Sequence, residues 1–157
     1  MKTITEVEIS EIKKNIEIIT SSSLYEGDFG DTISKSILLK SGVSKDLVEN
    51  KYLSNYYYFL ENIGFGELDD SFFIEDAPIN SFEIFGKDRK HLEHLYIFAN
   101  NMSEYSYAFD FKNKCNVVSI DSSGDVSKLD KESFSDFIKS KIEELVEIVK
   151  WREQDFS

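Results

Sequence analysis

His91 and His94 stand three residues apart, a spacing that can present two imidazoles to one metal on a helix. On the strand predicted just after them, the same offset turns them to opposite faces. No third ligand is in register, so no metal site is expected. Cys115, the single cysteine, could pair with either histidine as nucleophile and base. It falls in an apolar run, where a thiol acts as a small filler and stays inert. Gly64-Phe65-Gly66 follows a helical stretch and leads into acidic residues, the wrong order for a loop that cradles phosphate. No Gly-x-Ser-x-Gly elbow occurs. Asp69-Asp70 and Glu75-Asp76 could act as paired carboxylates or calcium ligands, but neither pair has the spacing of a calcium loop, and four acids in eight residues are more simply a solvated or partner-binding face. An enzyme or small-ligand pocket near Asp110 is a minor reading; it needs a buried Asp110 carboxylate without a hydrogen-bond partner. By elimination the residues favour a binding protein, with no cofactor.

Charge narrows the partner. Thirty acidic residues against eighteen basic ones give a net charge of −12, which repels nucleic acid and anionic membranes and either attracts a basic protein or serves only to keep the chain soluble. The bias is strongest from Tyr52 to Gly86, where no Lys or Arg occurs. The hydrophobic fraction of 41% suits one globular domain with a sizeable core. No apolar run approaches the roughly twenty residues of a membrane span. The first six residues lack the apolar region of a secretory signal. The lone cysteine fits a reducing cytoplasm.

The elements that position these residues are expected as follows. Ile9, Ile12, Ile16 and Ile19 share one helical face, with Thr5 and Glu8 as a capping box and an end near Thr20. Short helical turns follow at Ile33–Leu38 and after a Ser44 cap. Tyr56, Phe59, Leu60 and Ile63 form a further helix ended by Gly64. Tyr56, Tyr57 and Tyr58 point in different directions around it, so at least one phenol must lie near the surface. Strands are expected around Phe72–Ile74, at Ser81–Phe85, at Leu92–Ala99 as a central strand, and at Tyr105–Phe111 and Cys115–Ile120 as a hairpin. Pro78 should end its strand or lie at a sheet edge. Val126 begins a short edge strand. A last helix, capped by Asp130, carries Phe134, Phe137, Ile138, Ile142, Leu145, Ile148 and Val149, with Glu143 and Glu147 near Lys139 and Lys150. It should roof the four rings of Tyr105, Tyr107, Phe109 and Phe111. The class is α+β: a single domain of residues 1–157, with a mainly antiparallel sheet flanked by N-terminal helices and a long C-terminal helix.

One order of motifs has a family likeness. It runs through Leu53-Ser54-Asn55-Tyr56-Tyr57-Tyr58-Phe59-Leu60, Gly64-Phe65-Gly66-Glu67-Leu68, Ala77-Pro78, Leu95-Tyr96-Ile97-Phe98-Ala99, Tyr107-Ala108-Phe109-Asp110 and Ser133-Phe134-Ser135-Asp136-Phe137-Ile138. The series resembles the SUKH superfamily, the Smi/Knr-like domain of cell-wall-synthesis regulators, over roughly Val43 to Leu145. Leu53-Ser54 stands where many members have Leu-Pro, and Ile63-Gly64 where many have Asn-Gly. Residues 1–42 are not covered.

The resemblance implies an α+β domain without enzymatic activity. It also implies a bacterial immunity protein that binds and neutralises a cognate toxin, often a nuclease; the alternative is an intracellular scaffold or regulatory module. An acidic surface could occupy a nuclease's basic cleft as a phosphate mimic. The expected contact residues are Glu67, Asp69, Asp70, Glu75 and Asp76, with Tyr57 and Tyr58 as anchors.

Overall fold

A computed structural model describes residues 3–156, so Met1, Lys2 and Ser157 of the expected domain lie outside the described residues. Helix α1 (Glu6–Thr20) starts at the Thr5–Glu8 capping box and buries Ile9, Ile12, Ile16 and Ile19, leaving Ile18 exposed. Two short helices, α2 (Lys35–Lys40) and α3 (Lys45–Val48), start at Ser34 and Ser44. Then comes α4 (Ser54–Asn62), after which Gly64 at φ 138° returns an amide to the Phe59 carbonyl. Strands β1 (Gly66–Leu68) and β2 (Phe72–Asn80) precede the four-residue helix α5 (Phe82–Phe85). Strands β3 (Leu95–Asn100), β4 (Tyr105–Asp110), β5 (Asn116–Asp121) and β6 (Val126–Lys128) lead into the long helix α6 (Phe134–Phe156).

The six strands form one sheet in sequence order, every neighbouring pair antiparallel. The expected α+β class is what forms. Alternation along β3 and β4 explains the two-sided core. One face turns Phe98, Tyr107 and Phe109 toward α1, α4 and α6. The other turns Leu95, Ile97, Ala108, Val118 and Ile120 toward Leu92 and Phe85. On the helix-covered face, Phe98 stacks on Phe109 at 4.2 Å. The Phe134 ring at the start of α6 meets Tyr56, Phe59, Phe98 and Phe109 edge-on or tilted. Each such pair contributes about 0.5–1.5 kcal/mol beyond its burial.

Several expectations are corrected. Only Tyr107 and Phe109 of the four rings lie buried under α6. Phe111 belongs to the turn after β4 and stacks on Tyr96, while Tyr105 is exposed at the strand's other end. Cys115 is not in a strand: Lys114 and Cys115 both take left-handed φ, and the turn closes where Asp110 pairs Asn116. Ser81–Phe85 is not a strand but a turn residue followed by α5, because the Asn80 side chain accepts the Phe82 amide and ends β2. Ser133, not Asp130, caps α6; the Val117 amide donates to the Glu132 carbonyl and holds the lead-in extended. Val146 replaces Ile148 in the buried stripe. Lys139 pairs with Glu8 of α1, and Lys141 with Glu144, instead of the expected pairs along α6. Pro78 lies inside β2, within the stretch where pairing to β3 shifts register and where β1 no longer reaches. Its missing amide proton therefore breaks no ladder there.

Candidate functional site

The acidic residues gather at β1. That strand is the sheet's edge, and an uncovered edge invites pairing with other chains. Here residues 25–31 run along it. The Glu67 carbonyl accepts the amides of Asp28 (3.1 Å) and Phe29 (3.0 Å) and the Tyr25 hydroxyl (3.2 Å). In return the Asp28 carboxylate accepts the Glu67 amide at 2.7 Å. Gly27 is required by this approach, because a Cβ there would collide with the Glu67 carbonyl. The chain from 15 to 34 has no Lys or Arg, like the stretch from Tyr52 to Gly86. The fold lays these two cation-free stretches side by side. Glu26, Asp28, Asp31 and Asp70 are exposed there and Glu67 is half-buried.

The expected contact residues divide. Asp70 and Glu67 belong to this edge. Asp69 does not present its carboxylate to a partner: it is buried, with left-handed φ, and its oxygens meet Arg152 at 3.0 and 3.2 Å. It also accepts the Glu26 amide at 3.4 Å. Tyr57 is not an anchor either; it is buried and its hydroxyl donates to the Leu47 carbonyl at 2.9 Å. Burial raises its phenol well above the ordinary value. Tyr58 is exposed. Asp76 is exposed, and Glu75 is half-buried in β2, away from the β1 pairing. Burial, and then the charge of Asp76, raises the Glu75 carboxyl above its ordinary value.

Sequence reasoning missed Glu26, Asp28, Asp31 and Arg152. The empty stretch from 15 to 34 was a usable signal. Its pairing with β1 was not, because it depends on backbone atoms of Glu67.

The other chemical candidates have structural occupations. His91 Nε2 lies 3.0 Å from the Gly124 carbonyl, and His94 Nε2 lies 3.5 Å from Asp110. Asp110 also accepts the Lys112 amide at 3.0 Å, so it is not the unpartnered carboxylate a pocket there would need. Among the described residues, no group of three or more His, Cys, Asp or Glu could hold a metal ion. The Cys115 thiol takes a weak hydrogen bond from Asn50, and burial pushes it up to about 11, which disfavours the nucleophilic thiolate. Among the described residues, no helix is long and apolar enough to cross a membrane.

No protein-family model, curated protein or solved structure matches this chain.

Proposed function

We propose that this protein is an immunity protein: it binds a basic toxin domain, of the nuclease class, through the acidic edge at β1 and blocks its active cleft. One observation carries the reading. Two stretches of chain without a single Lys or Arg, far apart in sequence, are brought together so that Glu26, Asp28, Asp31, Glu67 and Asp70 share one edge. The nearby Arg152 is directed inward to Asp69, so it does not neutralise the exposed acids. A nuclease cleft is lined with Lys and Arg for phosphate, and an array of carboxylates meets that need in the same way a backbone does. Long-range attraction of this kind speeds encounter more than it tightens the final complex. The motif series from Val43 to Leu145, which resembles the SUKH superfamily, supports the same reading.

The test is co-expression of the chain with a nuclease-class toxin domain, taken from any toxin gene found next to its own. Rescue of growth and co-purification of the two proteins support the reading. A toxin that still kills, with no complex recovered, overturns it.

A further inference from the structure

The acidic edge continues across the sheet. Glu67 pairs Phe73, Phe73 pairs Asn100, Asn100 pairs Ser106, Ser106 pairs Ile120, and Ile120 pairs Val126. Directly opposed residues share a face, so this row lies on the side away from α6. Leu68, Phe72 and Ile74 point to the helix-covered core, which sets Glu67 and Phe73 on the other side. That side is only partly covered, by α5 and the turn at Leu92.

Where the row crosses β3 to β5 there is a groove of about 530 Å³ between α5, the β3–β4 loop and the end of β5. Ile84, Met102 and Tyr105 line it and are 52%, 40% and 42% exposed. Ile120 and Phe85 also line it. Glu104 and Asp121 stand among the lining residues, and none of the described lining residues is Lys or Arg. Arg89 reaches the neighbouring turn, where it donates to the Ser123 carbonyl. The loop holds its shape because the Asn101 side chain accepts the amides of Ser103, Glu104 and Tyr105, and Met102 sits at φ 65°. A left-handed methionine on a braced loop is an apolar group fixed in the open.

We propose that this groove is a docking site for a protein segment that inserts an aliphatic or aromatic side chain flanked by Lys or Arg. The apolar lining supplies the site for the inserted side chain. The Glu104 carboxylate attracts the flanking cations; Asp121 adds its charge while its Oδ1 accepts the Ser123 and Asp125 amides of the next turn, and the row of paired residues joins the groove to Glu67. A partner engaged at the acidic edge can thus reach the groove along one face of the sheet. The proposal rests on the reading that the partner is a basic protein, but its test needs no toxin.

Isotope-labelled full-length chain is titrated with the peptide Lys-Lys-Leu-Phe-Lys-Lys, blocked at both ends, and amide shifts are followed by NMR. Controls are Lys-Lys-Gly-Ser-Lys-Lys and Glu-Glu-Leu-Phe-Glu-Glu. Saturable shifts should appear at Phe85, Met102–Ser106 and Ile120–Ser122. Both controls should bind about tenfold more weakly or worse, as expected for removing either a buried apolar pair or the charge match. Ile84→Lys and Met102→Lys, changes at exposed positions, should each abolish those shifts while the rest of the spectrum stays native. Shifts confined to other surfaces, equal binding of the Gly-Ser control, or no shift at all would overturn the proposal. So would the same amides moving with protein concentration alone, which would mean that a second copy of the chain fills the groove.

Discussion

Arg152 near the end of α6 and Asp69 in the β1–β2 turn meet at 3.0 and 3.2 Å across 83 residues of chain. The Asp69 side chain is 2% exposed and that of Arg152 22%. The pair ties together the β1–β2 turn, residues 25–31 along β1 through the Glu26 amide, and the last turns of α6. Breaking a buried pair from one side strands the other charge, at about 2–4 kcal/mol for one partly reached by water. Arg152→Met should cost more than Asp69→Asn, because it strands the more deeply buried partner, and Asn tolerates the left-handed φ of residue 69. Urea unfolding of both single variants and the double variant checks this. The double variant should recover part of the loss; losses under about 0.5 kcal/mol in both singles would mean that the pair does not brace the fold.

Tyr57 and Tyr58 separate structure from contact. Tyr57→Phe removes the hydroxyl that satisfies the Leu47 carbonyl and should lower stability by about 1 kcal/mol, with partner affinity unchanged. Tyr58→Ala should leave stability within about 0.5 kcal/mol, as an exposed site does. Thermal melts and partner titration distinguish the two. A Tyr57→Phe protein as stable as the parent would contradict the assigned hydrogen bond.

These two neighbours show what was legible in the sequence. Periodicity identified the helix and its buried stripe, since Tyr56, Phe59 and Leu60 recur at helical spacing. It could not say which of three adjacent tyrosines faces water, because that depends on where α3 puts the Leu47 carbonyl. The α1 capping box and its end at Thr20 were readable because both are local. The α6 cap was not, since a tertiary bond from Val117 to Glu132 decides where the helix begins. For the site, the charge of Asp70 was visible. The burial of Asp69 beside it was not, because its cation lies at the far end of the chain.

Cys115 should be close to inert while the protein is folded. Its thiol is raised to about 11 from an ordinary value of 9.0, so the thiolate fraction at pH 8 falls about a hundredfold. Alkylation with iodoacetamide should be at least that much slower in buffer than in denaturant. Comparable rates in the two would place the thiol at the surface.

Glu75 sets a pH dependence of known sign. Its folded value lies above its ordinary, unfolded one, chiefly through burial and then through Asp76. Between those two values the native state holds more proton than the unfolded state. The stability from the protonated form is therefore fully present below the ordinary value and is lost as pH rises through the raised one. Glu75→Gln should raise the urea midpoint at pH 7 and leave it nearly unchanged at about pH 3, where the carboxyl is protonated in both states. A lower midpoint at pH 7 would contradict the burial of the carboxylate.

The acidic edge itself is tested by association kinetics. Glu26→Lys and Asp31→Lys, at exposed positions of residues 25–31 along β1, are combined and mixed by stopped flow, at low and high salt, with whatever toxin domain the co-expression test recovers in complex. The association rate at low salt should fall about tenfold or more, with a shallower salt dependence and dissociation little changed. An association rate and salt slope equal to those of the parent chain would remove the β1 edge from the encounter.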